Sequence, residues 1–271
     1  MQKILIFAVL LAVTMQAKTF ASNNANATDF EIPGKSYKQS YQTDKLNRNK
    51  KSQVTIFLPD SATPDATTVI FWFHGCNGYS KRTFQTRLER QLARLDLLGH
   101  SYALVVPELY WSKNTKTRCG RQSRSFSKPG ALVKFVDDSI DKINNLFVSA
   151  GKERMQNPKV AFFGHSAGGS VFKASAVSGD LCKIKPDYVV WSDSTYGNWF
   201  NTAWSNCLNR GHSDVIVLIR KWTATWKNFK RFPMRLKPPE FLKIKYYHGK
   251  IYHKTIGDNA LEYSEIFPEG C

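Results

Sequence analysis

The residues best suited to chemistry lie in one short, glycine-bounded turn near the middle of the 271-residue chain. Gly164-His165-Ser166-Ala167-Gly168 fits the pattern G-x-S-x-G, in which a strained strand-to-helix turn exposes a serine hydroxyl as a nucleophile. Three fixed letters often match by chance. Here, however, a strand-like apolar segment precedes the turn, and a segment of small residues suited to a helix follows it. The sequence therefore predicts a nucleophile elbow with Ser166 as the attacking group.

A second loop contains the groups that such a nucleophile needs beside it. Phe73-His74-Gly75-Cys76-Asn77-Gly78 follows a strand-like segment well upstream of the serine. Acyl transfer requires N–H donors aimed at the developing oxyanion, each worth about 3 kcal/mol. We expect these donors to be the N–H of Ala167, directly after the nucleophile, and the N–H of Cys76 in the upstream loop.

The general base should lie in the loop after the last strand, because the chain order around such an elbow is serine, acid, histidine. His248 and His253 both lie in that region. His253 is the favoured base because a helix-like segment follows it at once, and His248 remains the alternative base.

The acid that orients the base is harder to assign. The segment after the strand-like residues 215–219 contains no carboxylate up to residue 230. One strand earlier, Asp193 lies at a carboxyl end, where the functional groups of open α/β sheets collect. Asp193 is therefore the predicted acid, and a turn-forming aspartate without a catalytic role is the alternative.

Regular alternation of strand and helix patterns must position these groups. Strands are predicted at residues 54–58, 67–73, 102–106, 159–163, 188–191, 215–219 and 242–247, and helices at 83–98, 131–148, 168–177 and 256–266. Strands separated by helices imply βαβ crossovers and parallel pairing. We predict one catalytic domain over residues 51–271, a three-layer α/β/α sandwich with a mostly parallel sheet of about eight strands.

The amino-terminal residues predict export. Lys3, the apolar run 4–13 and the small residues around Ala21 have the order of a secretory signal peptide, which we place at residues 1–21. The alternative is a permanent anchor, but a span needs roughly 20 apolar residues. Residues 22–50 are polar and predict a loose arm. Because no second long apolar run follows, we expect no transmembrane segment after signal removal and a secreted or periplasmic location.

The charge balance predicts an anionic partner. The formal net charge is +18, and removal of the signal with Lys3 and Lys18 leaves +18 − 2 = +16. Residues 210–254 contain twelve Lys or Arg against two acidic residues, although a merely solvated basic surface explains this equally well. Six aromatic residues follow predicted strands and either bind substrate or pack a lid: Trp111, Tyr196, Trp199, Trp204, Trp222 and Trp226. No motif for specific nucleic-acid recognition and no metal-ligand spacing occurs, so neither a metal nor a cofactor is expected.

These motifs resemble the α/β-hydrolase superfamily over nearly the whole mature length. The first half is similar to secreted polyhydroxybutyrate depolymerases and to feruloyl or acetylxylan esterases, which share an HGC-type oxyanion loop and a GxSxG elbow. The resemblance implies a secreted serine hydrolase of carboxylic esters, and the residues assigned above predict that it acts through Ser166, His253 and Asp193. It also implies a disulfide between Cys76 and Cys119.

Three points stay open beside the resemblance. Cys182 and Cys207 are paired by proximity in sequence alone, which leaves Cys271 free. A serine peptidase or amidase would use the same triad. A non-catalytic basic binding module is the third class, because the basic, tryptophan-containing segment could contact an anionic polymer without any reaction.

Overall fold

The structure is a computed structural model that describes residues 34–40, 53–76, 88–109 and 126–267, with the backbone alone for residues 35–40, 53 and 89. The strands are β1 Gly34–Ser40, β2 Gln53–Pro59, β3 Thr68–Phe73, β4 Tyr102–Pro107, β5 Lys159–His165, β6 Tyr188–Ser192, β7 Asp214–Arg220 and β8 Leu242–Tyr247. The helices are α1 Glu89–Leu97, α2 Ala131–Ser149, α3 Gly169–Ser178, α4 Asp180–Ile184, α5 Trp199–Asn206, α6 Ala224–Phe229, α7 His253–Asp258 and α8 Ala260–Ser264.

The strands of the described residues form one eight-stranded sheet in the order β1-β2-β4-β3-β5-β6-β7-β8. The pairs β1–β2 and β2–β4 are antiparallel, and every other neighbouring pair is parallel. Strand β5 therefore lies between β3 and β6, and the carboxyl ends of these three strands meet at one edge. This topology confirms the predicted fold class.

Helices cover both faces of the sheet because the central strands are apolar on both faces. In β3, the side chains of Val69, Phe71 and Phe73 belong to one buried cluster, and those of Ile70 and Trp72 belong to the other. Helices α2, α3 and α5 contribute to the first cluster, and α1, α7 and α8 contribute to the second. Two helix layers thus enclose the sheet.

The predicted loose arm at residues 22–50 is wrong for residues 34–40. Gly34–Ser40 forms β1 and pairs with the whole of β2, from Gly34 opposite Pro59 to Ser40 opposite Gln53. Its sequence GKSYKQS has no apolar alternation, because β1 is an edge strand held by backbone pairing. The predicted signal peptide and the rest of the arm lie outside the described residues.

The carboxyl-terminal helix also differs from its prediction. Instead of one helix over 256–266, α7 begins at His253 and α8 begins at Ala260, with Asn259 between them at φ −119° and ψ 22°. The buried side chain of Gln91 holds this break: its amide donates to the carbonyl of Asp258, and its oxygen accepts the N–H of Leu261 at 2.8 Å. Within the described ranges, every helix is too short or too polar to cross a bilayer.

Candidate active site

Ser166 lies directly after β5 in a strained turn. Its φ is +53°, a left-handed value that costs a residue with a side chain about 1–3 kcal/mol. A 3₁₀ turn at Ser166–Gly168 then leads into α3. Gly168 must lack a side chain, because a Cβ there would lie 2.0 Å from the carbonyl oxygen of Phe73. The motif thus places the end of β5 against the end of β3, and it leaves Ser166 partly exposed.

The predicted oxyanion loop lies against the serine. A Cβ on Gly75 would lie 3.0 Å from the Cβ of Ser166. The buried ring of His74 positions this loop: its Nε2 accepts the N–H of Leu109 at 2.9 Å, so its Nδ1 is protonated and donates to the carbonyl of Gly75 at 2.8 Å. His74 therefore ties the loop to the residues after β4.

The two donors predicted for the oxyanion hole are the backbone N–H groups of Ala167 and Cys76. Ala167 is in the first turn after the nucleophile, where N–H groups have no partner within the helix. Cys76 follows Gly75 and is disulfide-bonded, whereas its predicted partner Cys119 lies outside the described residues. The pairing of Cys182 with Cys207 is confirmed, with 5.3 Å between the two Cα atoms. Cys271 also lies outside the described residues.

Asp193 and His253 form the best-defined polar contact of the site. The Nδ1 of His253 lies 2.6 Å from Oδ2 of Asp193, whose side chain is 1% exposed. The other carboxylate oxygen, Oδ1, accepts the hydroxyl of Thr225 and the N–H of Arg220, the latter at 3.3 Å. Asp193 itself has a φ of +44°, and its N–H donates to the carbonyl of Leu218 at 2.7 Å. The carboxylate is thus buried, satisfied and fixed in direction.

The ring of His253 is oriented by its neighbours. His165 Nε2 donates to the carbonyl of His253 at 3.2 Å, and the two rings lie 4.8 Å apart. Gly257 allows this packing, because a Cβ there would lie 2.4 Å from His165 Nε2. Since Nδ1 of His253 faces Asp193, its Nε2 is the nitrogen left to exchange a proton with a nucleophile.

Tyr196 adds a further polar side chain next to the serine. A side-chain hydrogen bond joins Tyr196 to Ser166, and the ring of Tyr196 lies 6.4 Å from that of His253. Among the described residues, no hydrogen bond joins Ser166 to His253. Such bonds are often long without substrate and tighten in the reacting complex. Burial raises the pKa of Tyr196, the hydrogen bond with Ser166 lowers it, and the charge of Asp193 raises it further.

The structure brings His253 rather than His248 to the acid. His248 has an exposed side chain in the turn after β8, and its carbonyl accepts the N–H of Ile251 at 3.5 Å. The alternative base therefore lies outside the group formed by Ser166, Asp193 and His253.

Several contributions to the site were not predicted. No role was predicted for His165, a variable position of the motif, or for Thr225. Tyr196 was considered only as a rim aromatic, although its position three residues after Asp193 was a signal that it shares the turn of the acid.

The other rim aromatics have different environments. Trp204 is 9% exposed in the core, Trp199 and Trp226 pack against that core, and Trp222 is 81% exposed. Trp111 lies outside the described residues. Within those residues, no cluster of His, Cys, Asp and Glu is arranged to hold a metal ion.

The order of the strands is that of the α/β-hydrolase fold. The turn at Ser166 and the contact between Asp193 and His253 lie where this fold places its functional groups. No protein-family model matches the sequence, and no curated protein matches it. A dienelactone hydrolase from Anabaena variabilis aligns with a TM-score of 0.53 and 14% identity, over 86% of this chain and 97% of that one. A ferulic acid esterase aligns with a TM-score of 0.52 and 13% identity, over 87% of this chain and 97% of that one. An S-formylglutathione hydrolase from Agrobacterium tumefaciens aligns with a TM-score of 0.51 and 12% identity, over 87% of this chain and 96% of that one. At such identities the likeness shows the fold.

Proposed function

We propose that the protein is a secreted serine hydrolase that cleaves carboxylic esters through an acyl-enzyme. Ser166 is the nucleophile, His253 the base and Asp193 the acid, and the N–H groups of Ala167 and Cys76 form the oxyanion hole. The observation on which the proposal rests is the 2.6 Å contact between His253 Nδ1 and Asp193 Oδ2. Asp193 directly follows β6, and the strained Ser166 directly follows the neighbouring strand β5.

The reaction follows from this geometry in two steps. Nε2 of His253 takes the proton of Ser166 as its Oγ attacks the ester carbonyl, and the backbone donors stabilise the oxyanion. The carbonyl re-forms, the bond to the leaving oxygen breaks, and the imidazolium gives its proton to that oxygen. Water then attacks the acyl group by the same path, with Asp193 holding the tautomer of His253 throughout.

Esters are the favoured substrates over amides. The aligned structures include a ferulic acid esterase and two hydrolases named for a lactone and a thioester-type substrate, and none of those three names an amide. A peptidase or amidase would use the same groups, so turnover of matched ester and amide substrates separates the two classes. We expect the ester to be turned over and the matched amide to remain intact.

A fluorophosphonate probe tests the catalytic proposal directly. The wild-type protein should be labelled on Ser166, and Ser166→Ala should abolish labelling. His253→Ala should slow labelling by at least about 10³-fold, as expected for loss of a triad member. His248→Ala is the matched control and should label at the wild-type rate. A folded wild-type protein that does not label would favour the non-catalytic binding module.

Export is the second part of the proposal. It is supported by the disulfide between Cys182 and Cys207 and by the disulfide-bonded state of Cys76, because disulfides persist in oxidising compartments. Mass spectrometry of the mature protein from periplasmic and culture fractions should find an amino terminus close to residue 22. An intact Met1 in a membrane fraction would indicate a retained anchor instead.

We further propose that the ester is attached to an anionic polymer. Trp222 is 81% exposed and has a φ of +69°, a strained backbone for so large a residue. Beside it, Arg220 lies 4.9 Å from the ring centre of Tyr252, and Lys221 lies 5.4 Å from that of Tyr246. An exposed ring flanked by cations suits a polymer with acidic groups, and the backbone N–H of Arg220 contacts the proposed acid.

A salt series tests the polymer proposal. Hydrolysis of an anionic polymer-linked ester should slow as salt rises, whereas hydrolysis of a neutral soluble ester should not, because salt screens exposed charges. Trp222→Ala should lower activity on the polymer alone. Leu97→Ala removes an exposed side chain from α1 in the opposite helix layer and serves as control. Equal salt responses of the two substrates would refute a role for charge in substrate capture.

A further inference from the structure

Tyr196 has contacts that the two-step mechanism leaves unused. It lies three residues after Asp193 and is joined to Ser166 by a side-chain hydrogen bond. Its ring packs edge-on at 5.5 Å against Trp199 and lies 6.4 Å from that of His253. The hydroxyl of Tyr196 therefore lies beside the proposed nucleophile, and its ring lies near that of the proposed base.

The sheet order places this hydroxyl on a defined side of Ser166. The oxyanion loop follows β3 and Tyr196 follows β6, while the serine follows β5, which lies between them. A substrate carbonyl oxygen that points into the oxyanion hole is therefore directed away from Tyr196. The leaving oxygen must be close to His253, because that residue protonates it. Tyr196, beside His253, is on the leaving-group side.

Tyr196 is held in place and keeps its proton. Its N–H donates to the carbonyl of Ser194 at 3.0 Å, and its carbonyl accepts the N–H of Trp199 at 3.0 Å. The hydroxyl of the preceding Thr195 donates to the carbonyl of Thr225, also at 3.0 Å. Because burial and the charge of Asp193 raise the pKa of Tyr196, its hydroxyl remains a donor at neutral pH.

We propose, on the basis of the proposed esterase function, that Tyr196 is a catalytic residue that donates a hydrogen bond to the leaving oxygen of the ester. As the bond between the acyl carbon and that oxygen breaks, its electron pair stays on the oxygen. The proton comes from Nε2 of His253, and Tyr196 keeps its own. Before substrate binds, Ser166 donates to the oxygen of that hydroxyl, which keeps its own proton. Substrate then takes that place, and Ser166 turns to His253.

A leaving-group series tests this role. Tyr196→Phe is assayed on esters with one acyl group and leaving alcohols that range from p-nitrophenol to simple alkanols. The kcat/KM for alkyl esters should fall about 10- to 100-fold, because a hydrogen bond to a developing negative charge is lost. For p-nitrophenyl esters it should fall less than about threefold, because little charge needs stabilisation. The Brønsted plot against alcohol pKa should therefore steepen.

A matched control and a second readout separate this role from a structural one. Tyr263→Phe removes a tyrosine hydroxyl from α8, where the ring stacks on Tyr247 at 4.7 Å, and should leave the Brønsted slope unchanged. Fluorophosphonate labelling of Tyr196→Phe should stay near the wild-type rate, because fluoride leaves without help. An equal loss on all esters, or none, would overturn the proposal while the esterase function stands. A wild-type protein that neither labels nor turns over any ester would overturn both.

Discussion

Replacing Asp193 by asparagine tests how the site fixes the tautomer of His253. The N–H of Arg220 and the hydroxyl of Thr225 both contact Oδ1 of Asp193, while Nδ1 of His253 contacts Oδ2 at 2.6 Å. An asparagine has one acceptor oxygen and one NH₂ group. The N–H of Arg220 cannot become an acceptor, so the amide oxygen must face it. The NH₂ group then faces His253, whose Nδ1 has to accept a hydrogen bond instead of donating one.

The consequence is a base with its proton on the wrong nitrogen. The proton of His253 moves to Nε2, which must be free to accept the proton of Ser166. In the serine protease triad the same substitution lowers kcat about 10⁴-fold. At 1.36 kcal/mol per factor of ten, this corresponds to about 5.4 kcal/mol of transition-state stabilisation. We expect a loss of that size in kcat for Asp193→Asn, measured with a chromogenic ester after titration of active sites.

A control at the other end of the same strand makes the result interpretable. Asp187 is an exposed carboxylate just before β6 whose Oδ2 accepts the N–H of Val160 at 2.8 Å. Asp187→Asn should change kcat by no more than about twofold, as for most surface substitutions. If folded Asp193→Asn protein keeps kcat within tenfold of wild type, the orientation argument fails. Asp193 is then the turn-forming aspartate of the alternative reading.

Two further predictions concern stability. The buried carboxylate of Asp180 accepts the N–H groups of Gly130 and Leu132 at 2.7 and 2.9 Å and so caps α2 from a distant part of the chain. Asp180→Ala should lower the free energy of unfolding by about 2–3 kcal/mol in urea titrations, and an unchanged midpoint would contradict this. Burial, and secondarily the charge of Asp96, raise the pKa of Tyr102 above its ordinary 10.0, so above pH 10 the unfolded chain binds fewer protons than the native one. The stability contributed by this group should then fall with a slope that rises toward about 1.4 kcal/mol per pH unit, and Tyr102→Phe should remove that fall in unfolding titrations between pH 9 and 11.

Local patterns were sufficient for the central sheet and for the elbow. The runs ending at Phe73 and Val106 consist of aliphatic, aromatic or β-branched residues because both faces of these strands are buried, and glycines mark the turn at Ser166 because backbones approach closely there. These features leave a signal within a few neighbouring residues. The helix-like segment after His253 is also local, and the histidine that it favoured over His248 is the one that contacts Asp193.

Contacts between distant parts of the chain left no such signal. The edge strand Gly34–Ser40 is polar, and only its pairing with β2 makes it a strand. Gln91 bonds residues 167 to 171 positions away, and Asp180 caps a helix that starts about 50 residues earlier. Nothing in the local sequence of these residues distinguishes them from solvent-exposed polar residues, so their roles depend on the fold being known.

The segment after β7 contacts the carboxylate that was predicted on the neighbouring strand in its place. It has no carboxylate, which is why Asp193 on the neighbouring strand was predicted as the acid. Strands β6 and β7 pair with Ser192 opposite Leu218, so the ends of the two strands lie side by side. The last residue of β7 and the segment after it then donate two hydrogen bonds to the proposed acid, from the N–H of Arg220 and from the hydroxyl of Thr225.

Thr225→Val tests this support by removing one donor at nearly constant volume. The buried Oδ1 of Asp193 would keep only the 3.3 Å contact with Arg220 N–H. A hydrogen bond to a charged group is worth about 1.5–3 kcal/mol, so we expect kcat to fall about 10- to 100-fold. If Thr225 acts through Asp193, the same substitution should cost almost nothing in kcat on the Asp193→Asn background, because the two residues act as one unit. An equal loss on both backgrounds would show that Thr225 affects the site by another path.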